Sequence, residues 1–337
     1  MNAEPPRLLS VVVPAHNEAR GIAHAVGVIL QTLATCGMAV EVIVVDDGSR
    51  DETFERVREL SRSDPRVKGL RFTRNFGKEA ALLAGLRAAR GDAVVTMDSD
   101  LQHPPTLIPK MIDAWHSGAK VVDAVKRGRE SDGALTRLRA GLFNALLSRF
   151  GGINLQNSSD FKLLDRVVVE TVTRGLPEKQ RFYRGLADWV GYTHAAVPFD
   201  VEARAAGQGK WTLWKLVDLA TTATVSFTSA PLRIVTILGS ITLVFGFGVA
   251  AEALYGWSQG HAVSGFTTTI ITLLIIGSFI MISLGIIGEY IAKIYDEIKA
   301  RPSYLVETTV GINGEQTQTL DLVRHLQGVP VDPRNGI

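Results

Sequence analysis

The stretch 94-VVTMDSDLQHPP-105 runs from apolar residues into two aspartates separated by one serine, then a glutamine, a histidine and two prolines. A buried strand that ends in two carboxylates places like charges close together, which is unfavourable unless something relieves the repulsion. Either the pair is turn chemistry, or a cation sits between it and another anion. Asp98 and Asp100 are expected to alternate along the extended backbone and to point to different sides, so that one would bind a metal and the other would reach another part of the ligand.

Outward from this stretch, apolar runs recur at Leu8–Val13, Val40–Val45, Val67–Phe72, Ala93–Met97 and, more weakly, Val121–Val125. Helical patterns separate them at Glu18–Thr35, Thr53–Leu60, Lys78–Ala89 and Pro105–His116. Apolar strands alternating with helices predict an α/β domain with a mostly parallel sheet covered on both faces. In such a sheet the ligand crevice lies beyond the carboxyl ends of the strands. Three of those ends carry polar residues, Pro14–Glu18, Asp46–Ser49 and Asp98–Gln102, and they predict one site on one rim. The first turn reads PAHNE, where a dinucleotide site would need glycines, and no phosphate-binding G-x-x-x-x-G-K-[ST] loop occurs. An acidic rim suits Mg²⁺ or Mn²⁺, which prefer oxygen ligands and often share them with substrate phosphates.

The remaining composition sets the class. Of 337 residues, 36 are Lys or Arg and 34 Asp or Glu, a balance that gives no reason to expect nucleic acid as a partner. The single cysteine, Cys36, excludes an intramolecular disulfide and reads as a structural thiol. The start MNAEPPRLLS lacks the basic and apolar segments of a cleavable signal. Ile234–Ala251 and Phe266–Gly288 carry no charge. A membrane span needs about 20 predominantly apolar residues, and two such runs after a complete domain read as a transmembrane hairpin rather than as buried core helices. The spans are expected at about 232–255 and 266–290. Arg233 precedes them and Lys293, Lys299 and Arg301 follow, whereas the loop 255-YGWSQGHAVSG-265 has no Lys or Arg. That bias predicts an inner-membrane, multi-pass protein with its catalytic domain and both termini cytoplasmic.

A lone D-x-D is a poor signal, but here it follows 11-VVVPAHNE-18 and 42-VIVVDDGSRDET-53 and ends 75-NFGKEAALLAGLRAARGDAVVTMDSDLQ-102. Together these stretches resemble the family 2 inverting glycosyltransferases, whose nucleotide-sugar domain has the GT-A fold. The resemblance implies that Pro14, Ala15, Glu18, Asp46 and Asp47 surround the nucleotide, with Asp98 also on the donor. It further implies that Asp98, Asp100 and Gln102 arrange the metal and diphosphate. Later stretches, 159-SDFKLLDR-166 and 288-GEYIAKIYDEIKARPSYLVE-307, resemble the polyprenyl-phosphate glycosyltransferases, and the hairpin followed by that tail is most similar to the bactoprenol glucosyl branch. The branch often carries R-x-x-G-x-S-K before the membrane. This chain has 204-RAAGQGK-210, with Gly209 replacing the serine and Arg204 and Lys210 in place.

The implied domains are a transferase domain at 1–210, a juxtamembrane amphipathic helix at 211–230, the hairpin at 231–292 and a cytoplasmic tail at 293–337. Amphipathic patterns at 133–150 and 211–227 would lie in the interface or pack on the sheet. A polyprenyl phosphate acceptor needs cations at membrane level, and Arg127, Arg129, Arg204 and Lys210 are the candidates. Its phosphate, with a second pKa of about 6, is already mostly anionic near neutrality. Asp160, by resemblance near the anomeric carbon, is therefore assigned an orienting role ahead of a base role, with Arg204 beside it in the catalytic set. A single displacement would invert the centre.

Glucose is the first choice of sugar, before mannose, N-acetylhexosamine and modified arabinose, and a UDP-sugar is preferred to a GDP-sugar. Gly277, Gly285 and Gly288 would let helices approach closely, which allows a homo-oligomer. The rivals are a processive polysaccharide synthase and a non-catalytic membrane scaffold. The first usually has more spans and a Q-x-x-R-W motif, whereas 180-QRFYRG-185 has neither the spacing nor the tryptophan.

Overall fold

The structure, a computed structural model, describes residues 7–126, 159–176, 183–199, 230–259 and 266–312. The first four strands, β1 (Leu8–Ala15), β2 (Ala39–Asp46), β3 (Val67–Phe72) and β4 (Ala93–Thr96), are parallel in the order β3-β2-β1-β4. Each leads to a helix: α1 (Ile22–Leu33), α2 (Thr53–Ser63), α3 (Lys78–Ala88) and, after a short 3₁₀ turn, α4 (Ile108–His116). All eight elements lie where the apolar periodicity places them, with ends shifted by up to four residues. The sheet alternates its contacts as its pleat requires. Val11, Val13, Val42, Val44 and Val95 pack with α1, α2 and α4, and Val12, Ile43, Val45 and Val94 pack on the α3 side. Each fully buried aliphatic side chain of this kind contributes about 1.5–3 kcal/mol.

Helix α3 is buried almost all round and is built of small residues, Ala80, Ala81, Ala84, Gly85 and Ala88 among them. A Cβ on Gly85 would lie 2.2 Å from Val12 Cγ1, so this glycine sets how closely the helix sits on the sheet.

The rest of the sheet was only partly expected. Strand β5 (Val121–Lys126) is separated from β4 by β6 (Lys162–Asp165), which runs antiparallel to both. After α5 (Arg166–Glu170) and α6 (Tyr183–Trp189), β7 (His194–Phe199) pairs parallel with β5. The chain then forms two long helices, α7 (Ala230–Ser258) and α8 (Phe266–Ile298), before β8 (Val306–Val310) pairs antiparallel with β3. The full order is β7-β5-β6-β4-β1-β2-β3-β8. This is the mostly parallel α/β sheet expected, with two antiparallel additions.

The expected tail at 293–337 therefore divides differently. Helix α8 continues to Ile298, and residues from Pro302 belong to the compact unit that contains the sheet. Ala300 takes the left-handed conformation (φ 48°) and Pro302 follows, which ends the helix. Tyr304, 3% exposed, then stacks on Phe72 with ring centroids 5.0 Å apart, and Thr73 N donates to the Leu305 carbonyl (3.1 Å).

The second unit is described by α7 and α8, which run against each other. At 29 and 33 residues they are about 43 and 50 Å long, more than a bilayer's hydrocarbon core of about 30 Å. Val235–Ser258 and Thr269–Ile298 are long and apolar enough to cross a membrane, and side chains such as Phe247, Leu273 and Met281 are exposed. The amphipathic patterns at 133–150 and 211–227 lie outside the described residues.

Candidate active site

The carboxyl ends of β1, β2 and β4 open on one rim. Because β6 is antiparallel to β4, the residues that precede β6 reach the same rim, and Thr96 at the end of β4 faces Lys162 at the start of β6. Strand order thus brings Asp160 beside Asp98, although 62 positions separate them in the chain.

The loops after β1 and β2 are fastened together. The amide of Asn17 donates to Ser49 Oγ (2.8 Å), that of Glu18 to Thr53 Oγ1 (2.9 Å), and a His16 ring nitrogen lies 2.8 Å from the Asp47 carbonyl. Asn17 and Leu101 are left-handed (φ 57° and 55°), a conformation that non-glycine residues hold at a cost and that clusters at functional sites. Gly48 (φ +62°) has no alternative, because a Cβ there would lie 2.3 Å from the Arg74 carbonyl carbon.

Asp46 and Asp47 have separate tasks. Asp46 is fully buried and does not reach the cavity described below. Its Oδ1 accepts from Ser49 N (3.0 Å), and Arg71 Nε lies 3.6 Å from Oδ2. Burial raises its pKa despite Ser49 and Arg71. Asp47 lies on the cavity wall but spends both oxygens on the start of α3, accepting from Phe76 N (2.7 Å) and Gly77 N (2.9 Å). A carboxylate at a helix N-terminus satisfies orphan amides and meets the favourable end of the dipole. Burial nevertheless raises the Asp47 pKa above the usual value.

A cavity of about 390 Å³ lies between these loops, lined by Pro14, Ala15, Glu18, Lys78, Asp98 and Asp100 among others. The expectation that the two aspartates point apart is corrected here. Residues two apart in an extended chain share a face, and with β4 stopping at Thr96 and the chain turning at Ser99–Asp100 both carboxylates line the one cavity. Their repulsion is relieved by a side chain absent from the expected site. Lys78, the first residue of α3, places Nζ 2.5 Å from Asp98 Oδ1 and 2.6 Å from Asp160 Oδ2. Burial alone would lower the Lys78 pKa, but Asp160 and then Asp98 outweigh it and hold the ammonium above its ordinary range. The sequence signal was available, since Lys78 lies in 75-NFGK-78 at a predicted helix start. Its target became visible only with the position of β6.

Around this bridge, Thr96 Oγ1 donates to the Asp160 carbonyl (2.6 Å) and lies 2.9 Å from Tyr183 Oη, which fixes the backbone of Asp160. Buried His103 stacks on Phe161 and holds Nδ1 3.9 Å from Asp98 Oδ2. Glu18 faces Asp100 and Asp51. Burial first, then those two charges, raises its pKa. Gln102 donates its backbone amide to Asp100 Oδ1 (3.1 Å) and is not on the cavity wall. Arg127, Arg129, Arg204 and Lys210 lie outside the described residues. Asp98 and Asp100 offer carboxylate oxygens on an open wall, the donor set that Mg²⁺ and Mn²⁺ take. Asp123, Asp188 and His194 also cluster within metal-ligand reach. There, fully buried Lys162 already donates to Asp123, so an ammonium takes the place of a cation.

An acidic, cation-bridged cavity at the carboxyl rim of a mostly parallel sheet is where an α/β enzyme binds its ligand. The comparisons make the class specific: residues 10–173 match the family model for glycosyl transferase family 2. An uncharacterized glycosyltransferase of Synechocystis sp. is 38% identical over 306 residues, covering 90% of this chain and 96% of that protein. An SfII prophage-derived bactoprenol glucosyl transferase of Shigella flexneri is 38% identical over 304 residues, with 89% and 97% coverage. A solved structure of Mycobacterium tuberculosis glucosyl-3-phosphoglycerate synthase with UDP is 28% identical over 66% of this chain and 79% of that one, at a TM-score of 0.45. The chain belongs to glycosyl transferase family 2, and it is a glycosyltransferase.

Proposed function

We propose that the protein transfers a hexosyl group, glucose in the first instance, from a UDP-sugar to a polyprenyl phosphate at the cytoplasmic face of a membrane, with inversion. The observation that carries this reading is the Asp98–Lys78–Asp160 bridge, in which one ammonium on the cavity wall holds the two carboxylates that this reading assigns to donor and acceptor. The relatives named as bactoprenol glucosyl transferases support the acceptor and the sugar. The two apolar helices support a membrane-borne acceptor.

In this reading Pro14, Ala15, Glu18 and Asp47 bound the nucleotide, while Asp46 holds their loop from beneath. Mg²⁺ or Mn²⁺, held by Asp98 and Asp100 with Gln102 at the turn, would supply the positive charge that a departing diphosphate requires. Asp160, its backbone fixed by Thr96, orients the incoming phosphate oxygen, which needs little help to lose its proton. Arg127, Arg129, Arg204 and Lys210 are assigned to the acceptor phosphate.

Membranes that contain the protein, incubated with a panel of labelled nucleotide sugars and a divalent cation, should move label into the extractable lipid phase, most of all from UDP-glucose. Label in insoluble polymer would instead favour a processive synthase, and no transfer from any donor would reject the reading.

A further inference from the structure

We propose that Lys78 is an exchangeable counter-ion, which holds Asp98 and Asp160 together in the absence of metal and must release Asp98 before a divalent cation binds. The inference rests on the glycosyltransferase reading of this cavity and assigns a positioning role to a residue outside the expected site.

The geometry makes the two cations competitors. Lys78 Nζ lies 2.5 Å from Asp98 Oδ1. A Mg²⁺ ion on that oxygen would sit at about 2.0–2.1 Å, within a few ångströms of the ammonium. At such separations a single and a double positive charge repel strongly, even at the moderate effective dielectric of a protein surface. The other oxygen, Asp98 Oδ2, belongs to the same carboxylate and lies 3.9 Å from His103 Nδ1, so a cation there would still sit within a few ångströms of the ammonium.

Lys78 is able to move. Its side chain is 40% exposed and ends on the wall of the cavity shared with Asp100 and Glu18. A long flexible stem lets the ammonium leave Asp98 while it keeps Asp160, whose carboxylate is only 8% exposed. A donor diphosphate in the cavity would give the ammonium a new anion at the moment Asp98 needs to be vacated. Metal and donor would then favour each other's binding, since coupling between two ligands is reciprocal.

The test measures metal binding without turnover. Full-length protein in detergent is titrated with Mn²⁺ in the absence of nucleotide, and free Mn²⁺ is read by electron paramagnetic resonance. Lys78→Met removes the competing charge at similar volume, Lys78→Gln removes it with a polar side chain, and Lys78→Arg retains it. Both neutral variants should bind Mn²⁺ about tenfold or more tightly than wild type, and the arginine variant should stay near wild type. Thermal melts identify any variant that fails to fold, and the second neutral variant keeps the comparison valid. Equal or weaker Mn²⁺ binding in the folded neutral variants would overturn the inference and leave the transferase reading intact. If no protein, wild type included, binds Mn²⁺ saturably, the metal assignment itself fails. Transfer of sugar to lipid, assayed separately, reports on the reaction and is not used to judge Lys78.

Discussion

At the scale of single residues, close approach and charge pairing set the expected effects. Gly85→Ala gains about 1 kcal/mol of helix propensity but drives a methyl group into Val12, and overpacking of a core costs about 1–3 kcal/mol. Val12 is held in a central strand with 0% exposure, so the clash should win. A lower denaturant midpoint for the alanine variant checks this, and a raised one would show that α3 can shift at no cost. His194 gives a pH effect. Its hydrogen bond to Asp123 outweighs burial and raises its pKa above 6.5. The stability it adds is fully present below the unfolded value of about 6.5 and is lost as pH rises through the folded value. Wild type should therefore lose a small increment, on the order of 1 kcal/mol or less, as pH rises above about 6.5. In His194→Gln that part of the slope should vanish from melts recorded across the range.

At the scale of elements, the parts of the fold legible in the sequence were those whose burial is uniform. Strands β1 and β4 and most of β2 are buried on both faces and read as near-continuous apolar runs, β3 (VKGLRF) shows through its buried Val67, Leu70 and Phe72, and α1, α2 and α4 show their apolar stripes. Strands β6, β7 and β8 escaped notice for a physical reason. β6 has four residues, beginning with a lysine that is buried because Asp123 pairs with it; β7 contains a proline; and β8, VETTV, is a polar edge strand. The site divides in the same way: Asp98, Asp100, Glu18 and Asp47 announce themselves at strand ends, whereas the partnership of Lys78 with Asp160 depends on strand order. β8 pairs with β3, and just before it Tyr304 stacks on Phe72, with Arg87 Nη1 donating to Tyr304 Oη at a long 3.4 Å. Tyr304→Ala should cost about 3–5 kcal/mol, as large aromatic truncations in cores do, and should expose the segment after α8 to protease. Tyr304→Phe should cost about 1 kcal/mol or less, because it keeps the stacked ring and loses the long hydrogen bond from Arg87. Equal losses in the two variants would mean that the hydroxyl, and not the ring, holds the strand.

At the scale of the whole molecule, the division of one compact unit between sequence before α7 and sequence after α8 bears on topology. A single sheet that takes strands from both sides of the hairpin requires both flanks to lie on the same side of any membrane the helices cross. The Lys and Arg residues, Arg233 before and Lys293, Lys299 and Arg301 after, point that side towards the cytoplasm. A reporter fused after Ile337 should accordingly be cytoplasmic, and a tag between Gly256 and Gly265 should react with an impermeant reagent from outside. Labelling of the tag only after the inner membrane is permeabilised would contradict this.

The β3–β8 pairing also fixes an order of manufacture. Gly69 is matched with Val310, so during synthesis one edge of the sheet waits for a strand made after both long helices, the last of the described strands. At about 5–20 residues per second, that wait is on the order of ten seconds or more, during which both apolar helices are made. The nascent sheet meanwhile carries an unpaired edge at β3, the kind of surface that recruits foreign strands. Completion of the sheet thus comes after both helices are made, and a chain whose helices were misdirected would carry its closing strand to the wrong place.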